Sequence, residues 1–218
     1  MPEFKLVISD PAPTTPPIKV KVVGDDKIAL SKEQKEGRKL PIAEIPKSLA
    51  EKLNLFDGVI VLKFGKEGDK KVKLHLKAIV KEGIEENTVR IPQDLLAEKV
   101  GETEAEAEAS RSKAFQLILD EDTSRKLIGM RIGEEIDATI VGLNGKLVIK
   151  GGSDNSGFPM RPELPGPVKK KLLLSGPPGY HPRKRGERRR KMVRGNTIDD
   201  SIVQVNVVLV REKGAENK

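Results

Sequence analysis

The chain has no cysteine and no tryptophan, one tyrosine and two histidines in 218 residues. Without cysteine, disulfides and thiolate metal sites are excluded. Aromatic residues make up only 3% of the chain, so any core must be built mainly from Val, Ile and Leu. No apolar run approaches membrane-spanning length, so no membrane partner is expected. The start, MPEFKLVISDP, lacks a charged segment followed by an apolar one, so it does not read as a signal peptide. The expectation is a soluble, cytoplasmic protein.

Catalytic and cofactor signals are also missing. A phosphate-binding loop needs G-x-x-x-x-G-K-[ST], and the spacing of Gly176, Gly179 and Gly186 does not give it. Pro177, Pro178 and Pro182 also oppose the helix that such a loop needs. His75 sits in an alternating strand pattern. His181 lies among arginines, whose charge disfavours both metal binding and an imidazolium. No pair of carboxylates has a spacing that suggests acid–base work. Ser153 and Asp154 stand in a glycine-rich turn with no base nearby, where such residues more often hydrogen-bond the local backbone. No enzyme activity, cofactor or metal is expected.

What is present is charge, concentrated in one place. Residues 161–196 hold twelve Lys or Arg: Arg161, Lys169, Lys170, Lys171, Arg183, Lys184, Arg185, Arg188, Arg189, Arg190, Lys191 and Arg194. Against them stand two acids, Glu163 and Glu187, a surplus of ten. The whole chain carries +8, so the other 182 residues sum to −2. A basic block on a near-neutral protein is the footprint of a polyanion partner. Arginine's planar fork of donors matches phosphate oxygens. Tyr180, His181 and Phe158 lie near these cations, and an aromatic face can stack on an unpaired RNA base. Gly151, Gly152 and Gly157 would permit close turns beside the RNA.

The hydrophobic pattern outlines the domains. Residues 4–9 (FKLVIS) alternate as a strand and begin segment 1–11. The proline-rich stretch 12–17 reads as a linker. Residues 18–101 form a module in which IPKSLAEKL (45–53) resembles IPQDLLAEKV (91–100). Between them, VIVLKF and KVKLHLKAIV have a hairpin pattern joined by GKEGDK. This predicts a small pseudo-twofold β/α barrel with two short helices. Residues 102–113, with their alternating acids, read as an acidic linker or solvated helix. From 114 to 211 the chain is strand-rich, with a short helix over DTSRKLIG capped by Asp122 or Thr123. An Asn144-Gly145 pair reads as a type I′ hairpin turn, and residues 175–197 read as a basic loop. Residues 212–218 read as a frayed tail. A lone strand at 4–9 must pair with the later strands, so the fold is expected to be mainly β. The expected parts are a small β-barrel with a basic extended loop and an inserted β/α barrel-like module.

Four segments carry a resemblance: KLVISDP (5–11), KLIGMRIGEEID (126–137), GGSDNSGFPMRPEL (151–164) and PGYHPRKRGERRRKMVRGNTI (178–198). Together they resemble the eukaryotic and archaeal small-subunit ribosomal protein six, over residues 4–11 and about 113–211. The resemblance implies a small β-barrel, ribosomal RNA as partner, neighbouring ribosomal proteins as further contacts, and a structural role without homo-oligomerisation. Two features depart from the family. Met192 stands where Ser or Thr is common, and the serine-rich phosphorylated tail is absent, so kinase regulation is not implied. Residues 12–112 have no counterpart in the short form. The competing reading is an RNA-modifying or RNA-processing enzyme with the inserted barrel as its catalytic part.

Overall fold

In the computed structural model, which describes residues 3–11, 15–55, 58–65 and 72–211, the chain divides into two compact units. One contains residues up to Ser9 and those from Gln116 onward. The other spans Asp10 to Phe115. Along the chain, β1 (Lys5–Ser9) precedes β2 (Ile18–Asp25), α1 (Lys32–Lys35), β3 (Ile42–Ile45), α2 (Lys47–Lys52), β4 (Val59–Phe64), β5 (Val72–Val80), β6 (Thr88–Pro92), α3 (Gln93–Lys99) and β7 (Glu104–Arg111). Then come β8 (Ala114–Ile118), α4 (Glu121–Leu127), β9 (Glu135–Asp137), β10 (Lys146–Asp154), β11 (Lys169–Leu174), β12 (Arg189–Arg194) and β13 (Ile202–Val210).

Strands β2 to β7 close into a barrel in the ring order β2-β6-β3-β5-β4-β7. The ring has an internal twofold in its pairing. β2 runs parallel to β6 as β3 does to β5, and β2 is antiparallel to β7 as β5 is to β4. Each half contributes one helix, α2 or α3, opening at Pro46 or Pro92. Proline suits a helix start because the first N–H groups have no intrahelical acceptor. The barrel is filled from alternate positions, among them Val20, Val22, Ile60, Leu62, Leu74, Leu76, Val89 and Ile91. Residues 66–70 of the turn GKEGDK, residues 12–14 of the proline-rich stretch and the 212–218 tail lie outside the described residues.

The acidic stretch is not a linker. Glu104–Arg111 is a barrel strand, antiparallel to both β2 and β4. Its strict alternation puts Ala107 and Ala109 inward, while Glu104, Glu106 and Glu108 face out beside Lys19 and Lys21. Ala and Glu are poor strand formers, but closing the ring overrides that preference.

The ends of this unit are fastened together. The Asp10 N–H donates to the Lys113 carbonyl at 2.8 Å. The Arg111 guanidinium donates to Asp10 Oδ2 at 3.0 and 3.3 Å and to the Asn54 carbonyl at 2.9 Å. The side chains of Asp10 and Arg111 are only 5% and 8% exposed, so each charge depends on the other.

In the other unit, five strands form a sheet in the order β8-β1-β13-β10-β9, with β1 parallel to β13. Its buried residues include Leu6, Ile8, Leu147, Ile149, Val205 and Val207. The described strands do not close into a second ring. β11 and β12 pair only with each other, and isolated bridges (Ser153 with Pro159, Met160 with Arg194) join this ribbon to the sheet. Two local expectations are corrected. The β9–β10 connection is not a two-residue Asn144-Gly145 turn: a 3-10 turn over Ala138–Val141 intervenes, capped by Asp137 at its start and by Gly142 at its end. Only Gly145 of the pair has positive φ, whereas a type I′ turn needs it at both residues. The N-cap of helix α4 is Asp120, two residues before Asp122 and three before Thr123.

Replacing Asp10 by Ala strands a buried guanidinium. The expected cost is about 3–5 kcal/mol, measured by urea unfolding. The double replacement Asp10→Leu with Arg111→Met is expected to cost less than the single one, because no charge then stays buried unpaired.

Candidate nucleic-acid interface

The basic segment is a hairpin rather than a free loop. Its second half, Arg189–Arg194, pairs antiparallel with Lys169–Leu174 in the register Lys169 to Arg194 and Leu174 to Arg189. One face carries a small core of Leu174, Val193 and Tyr180, with Leu164 and Leu172 against it. The hairpin is therefore ordered by packing of its own.

That core changes the role of Tyr180. The side chain is buried against Leu174 and Val193, so it offers no face for base stacking. It is the chain's one tyrosine, in a stretch with few other large apolar groups, and the ribbon uses it as core. Its hydroxyl lies near the Glu187 carboxylate, though among the described residues it makes no hydrogen bond of good geometry. Burial first, and then the nearby Glu187 carboxylate, push its pKa above the ordinary tyrosine value.

The hairpin is anchored at its base by Asp154, the last residue of β10. One carboxylate oxygen accepts the Phe158 N–H at 2.9 Å and the other accepts the Arg194 Nε–H at 3.0 Å. Lys169 Nζ lies 3.8 Å from the second oxygen and 4.7 Å from the centre of the Phe158 ring. Burial alone would raise the Asp154 pKa. The Phe158 N–H, the Arg194 guanidinium and the Ser156 N–H together outweigh it and hold the carboxyl below its usual range.

Arg194 and Arg161 are also recast. The Arg194 side chain is 13% exposed and shared between Asp154 and Asp199. Arg161, 15% exposed, pairs with Glu163 at 3.1 Å and donates to the Pro178 carbonyl at 3.2 Å. Both brace the hairpin from beneath, because each stands next to a carboxylate at its base. Nothing in the run of cations distinguished them from the exposed ones. Asp154, which sequence reasoning treated as a turn former, has that role and a larger one.

The remaining cations face outward. Lys170, Lys171, His181, Arg183, Lys184, Arg185, Arg188, Arg189, Arg190 and Lys191 are all exposed. Arg189 Nε lies 3.7 Å from Glu187. Phe158 is half-buried beside Lys169. Of the three glycines expected to sit beside RNA, Gly152 is buried, and a Cβ there would collide with the Gln204 carbonyl of β13. Its smallness serves strand packing. Gly151 sits at a register shift of β10 against β13. Gly157 is exposed and closes the Asp154–Gly157 turn with φ of 78°. Among the described residues, no group of three His, Asp or Glu is arranged to hold a metal ion.

Comparison with known proteins matches residues 105–217 to the family model described as ribosomal protein S6e. The small ribosomal subunit protein eS6 of Hyperthermus butylicus is 50% identical over 98% of this chain and 99% of its own. The protein of the same name from Staphylothermus marinus is 52% identical over 96% of this chain and 99% of its own. That of Saccharolobus islandicus is 47% identical over 97% of this chain and 100% of its own.

Replacing Asp154 by Asn removes the charge that Arg194 and the Phe158 N–H share. The expected loss is about 2 kcal/mol at neutral pH. Because the folded pKa is depressed, the native contribution is complete above the ordinary Asp value of 3.8 and disappears as the pH falls through the lower folded value. The variant's unfolding free energy should therefore vary less than the parent's below about pH 4.

Proposed function

The chain belongs to the ribosomal protein S6e family, and from that premise we propose that it is a structural constituent of the small ribosomal subunit, in the cytoplasm, held there by ribosomal RNA. The observation that carries the RNA contact is the division of labour among the cations. Arg161 and Arg194 are spent on carboxylates, and the outward ones gather on one packed hairpin. Lys170, Lys171, Arg183, Lys184, Arg185, Arg188, Arg190 and Lys191 are the phosphate contacts in this reading, with His181 and Arg189 at the margin. Lys169 over Phe158 presents a cation beside a half-buried ring, suited to a phosphate and its adjoining base. Gly157 belongs to the turn that precedes that ring, and Gly151 to the irregularity of β10.

The chain sits, in this reading, as one copy among RNA and neighbouring ribosomal proteins. The alternative, an RNA-processing enzyme centred on the barrel, gains nothing from the family. His75, the one histidine of that barrel, is engaged with Ser112 at 2.9 Å. Burial, and then Lys73, lower its pKa.

If eight cations meet phosphates, the affinity for small-subunit ribosomal RNA should fall with salt at a log–log slope near −7. That is about four decades between ~50 and ~200 mM. Filter binding across that range is the test. A charge-reversed variant, Lys184→Glu with Arg185→Glu, should bind more weakly and with a shallower slope. Equal binding by both proteins would refute the hairpin as the RNA contact.

A further inference from the structure

From His181 to Lys191 every residue is exposed except Glu187. It is also the one acid in that stretch. Its carboxylate turns back toward the backbone: Oε2 accepts the Arg183 N–H at 2.8 Å. Its own N–H donates to the Lys184 carbonyl at 3.1 Å, closing a four-residue turn over 184–187. Gly186 takes the third position with φ of 82°, the left-handed value that a type II turn needs there. Arg189 Nε lies 3.7 Å from the carboxylate on the strand side. The Tyr180 hydroxyl and then the Arg183 N–H hold the Glu187 carboxyl below its ordinary pKa, so it is ionised at neutral pH. Tyr180 is itself fixed in the ribbon core.

By charge alone a carboxylate here opposes phosphate binding, since it cancels part of the local positive potential. What it supplies is geometry. Without it, the tip is a short run of mutually repelling cations with little packing, and ordering it on RNA would cost backbone and side-chain entropy.

We infer that Glu187 is a positioning residue for RNA recognition: by folding the Arg183–Glu187 tip around its carboxylate, it sets the directions of Arg183, Lys184, Arg185 and Arg188 before RNA arrives. This rests on the RNA-binding reading of the hairpin. The inference predicts an effect of opposite sign to electrostatics. Glu187→Ala adds one net positive charge, which alone would tighten binding, whereas loss of the positioned tip weakens it.

The test measures binding of the full chain to purified small-subunit ribosomal RNA at one fixed low salt concentration, for Glu187→Ala, Glu187→Gln and the charge-reversed Lys184→Glu/Arg185→Glu protein. Glu187→Ala is expected to bind about tenfold more weakly despite its added charge. Glu187→Gln keeps an acceptor oxygen for the Arg183 N–H and is expected to bind at least as tightly as the parent. Limited trypsin digestion without RNA gives an independent readout. Cleavage within 183–188 should accelerate in Glu187→Ala and not in Glu187→Gln, with circular dichroism spectra unchanged. If Glu187→Ala bound as tightly as the parent or more tightly, or if both Glu187 variants weakened equally, the positioning role would be wrong. If the charge-reversed protein bound like the parent, the RNA reading itself would fail and take this inference with it.

Discussion

Like charges crowded onto one hairpin repel, and the ribbon of β11 and β12 must hold its surplus of positive charge without neutralising it. The structure meets this constraint with a few carboxylates placed where they order backbone rather than cover the outer surface. Asp154 and Glu163 work at the base, taking Arg194 and Arg161 out of the exposed set. Glu187 works at the tip, on a backbone N–H. Between them, Leu174, Val193 and Tyr180 give the ribbon its own packing. The outward cations therefore stand on an ordered support, and the free energy of meeting a polyanion is not consumed in folding the segment that meets it.

Much of the fold was legible because it rests on period and punctuation. The two Ile-Pro helix starts, forty-six residues apart (Ile45 and Ile91), marked the halves of a barrel whose strand pairing repeats about a twofold. The alternation in IVQVNVVLV marked a strand, which the structure places in the middle of its sheet, with β1 on one side and β10 on the other. The failures share a cause. Glu104–Arg111 has a period of two throughout, yet its Ala and Glu composition argued for a solvated linker, and only closure of the ring makes it a strand. Asn144-Gly145 has the composition of a tight hairpin turn, but Asp137 and Gly142 cap an intervening 3-10 turn that lengthens the connection. In both places residues outside the segment outweighed its own composition: the neighbouring strands of the ring in the first, two flanking caps in the second.

The candidate site was legible as a region and less so as individual residues. Charge density located the hairpin, because net charge is a sum and survives ignorance of geometry. It could not separate Arg194, shared between two aspartates, from Arg190, which faces outward. Tyr180 was read as a stacking platform among the cations, and its burial assigns it to the core instead. Gly152 is small because Gln204 of β13 passes close by, a contact between residues more than fifty positions apart. Asp154 and Glu187 were the least visible: each is a lone acid whose importance lies in which backbone N–H it meets.

The central claim is that this hairpin holds the chain in the small ribosomal subunit. It is tested most directly by sedimenting extracts of cells that express either the parent chain or a form with Arg183, Lys184, Arg185 and Arg188 all replaced by Ala, following each by mass spectrometry. The account predicts that the parent travels with the small subunit through moderate salt, while the replaced form, folded as judged by its purified thermal transition, is largely lost from it. Co-sedimentation of both forms to the same extent, or a parent chain that stays at the top of the gradient, would contradict it.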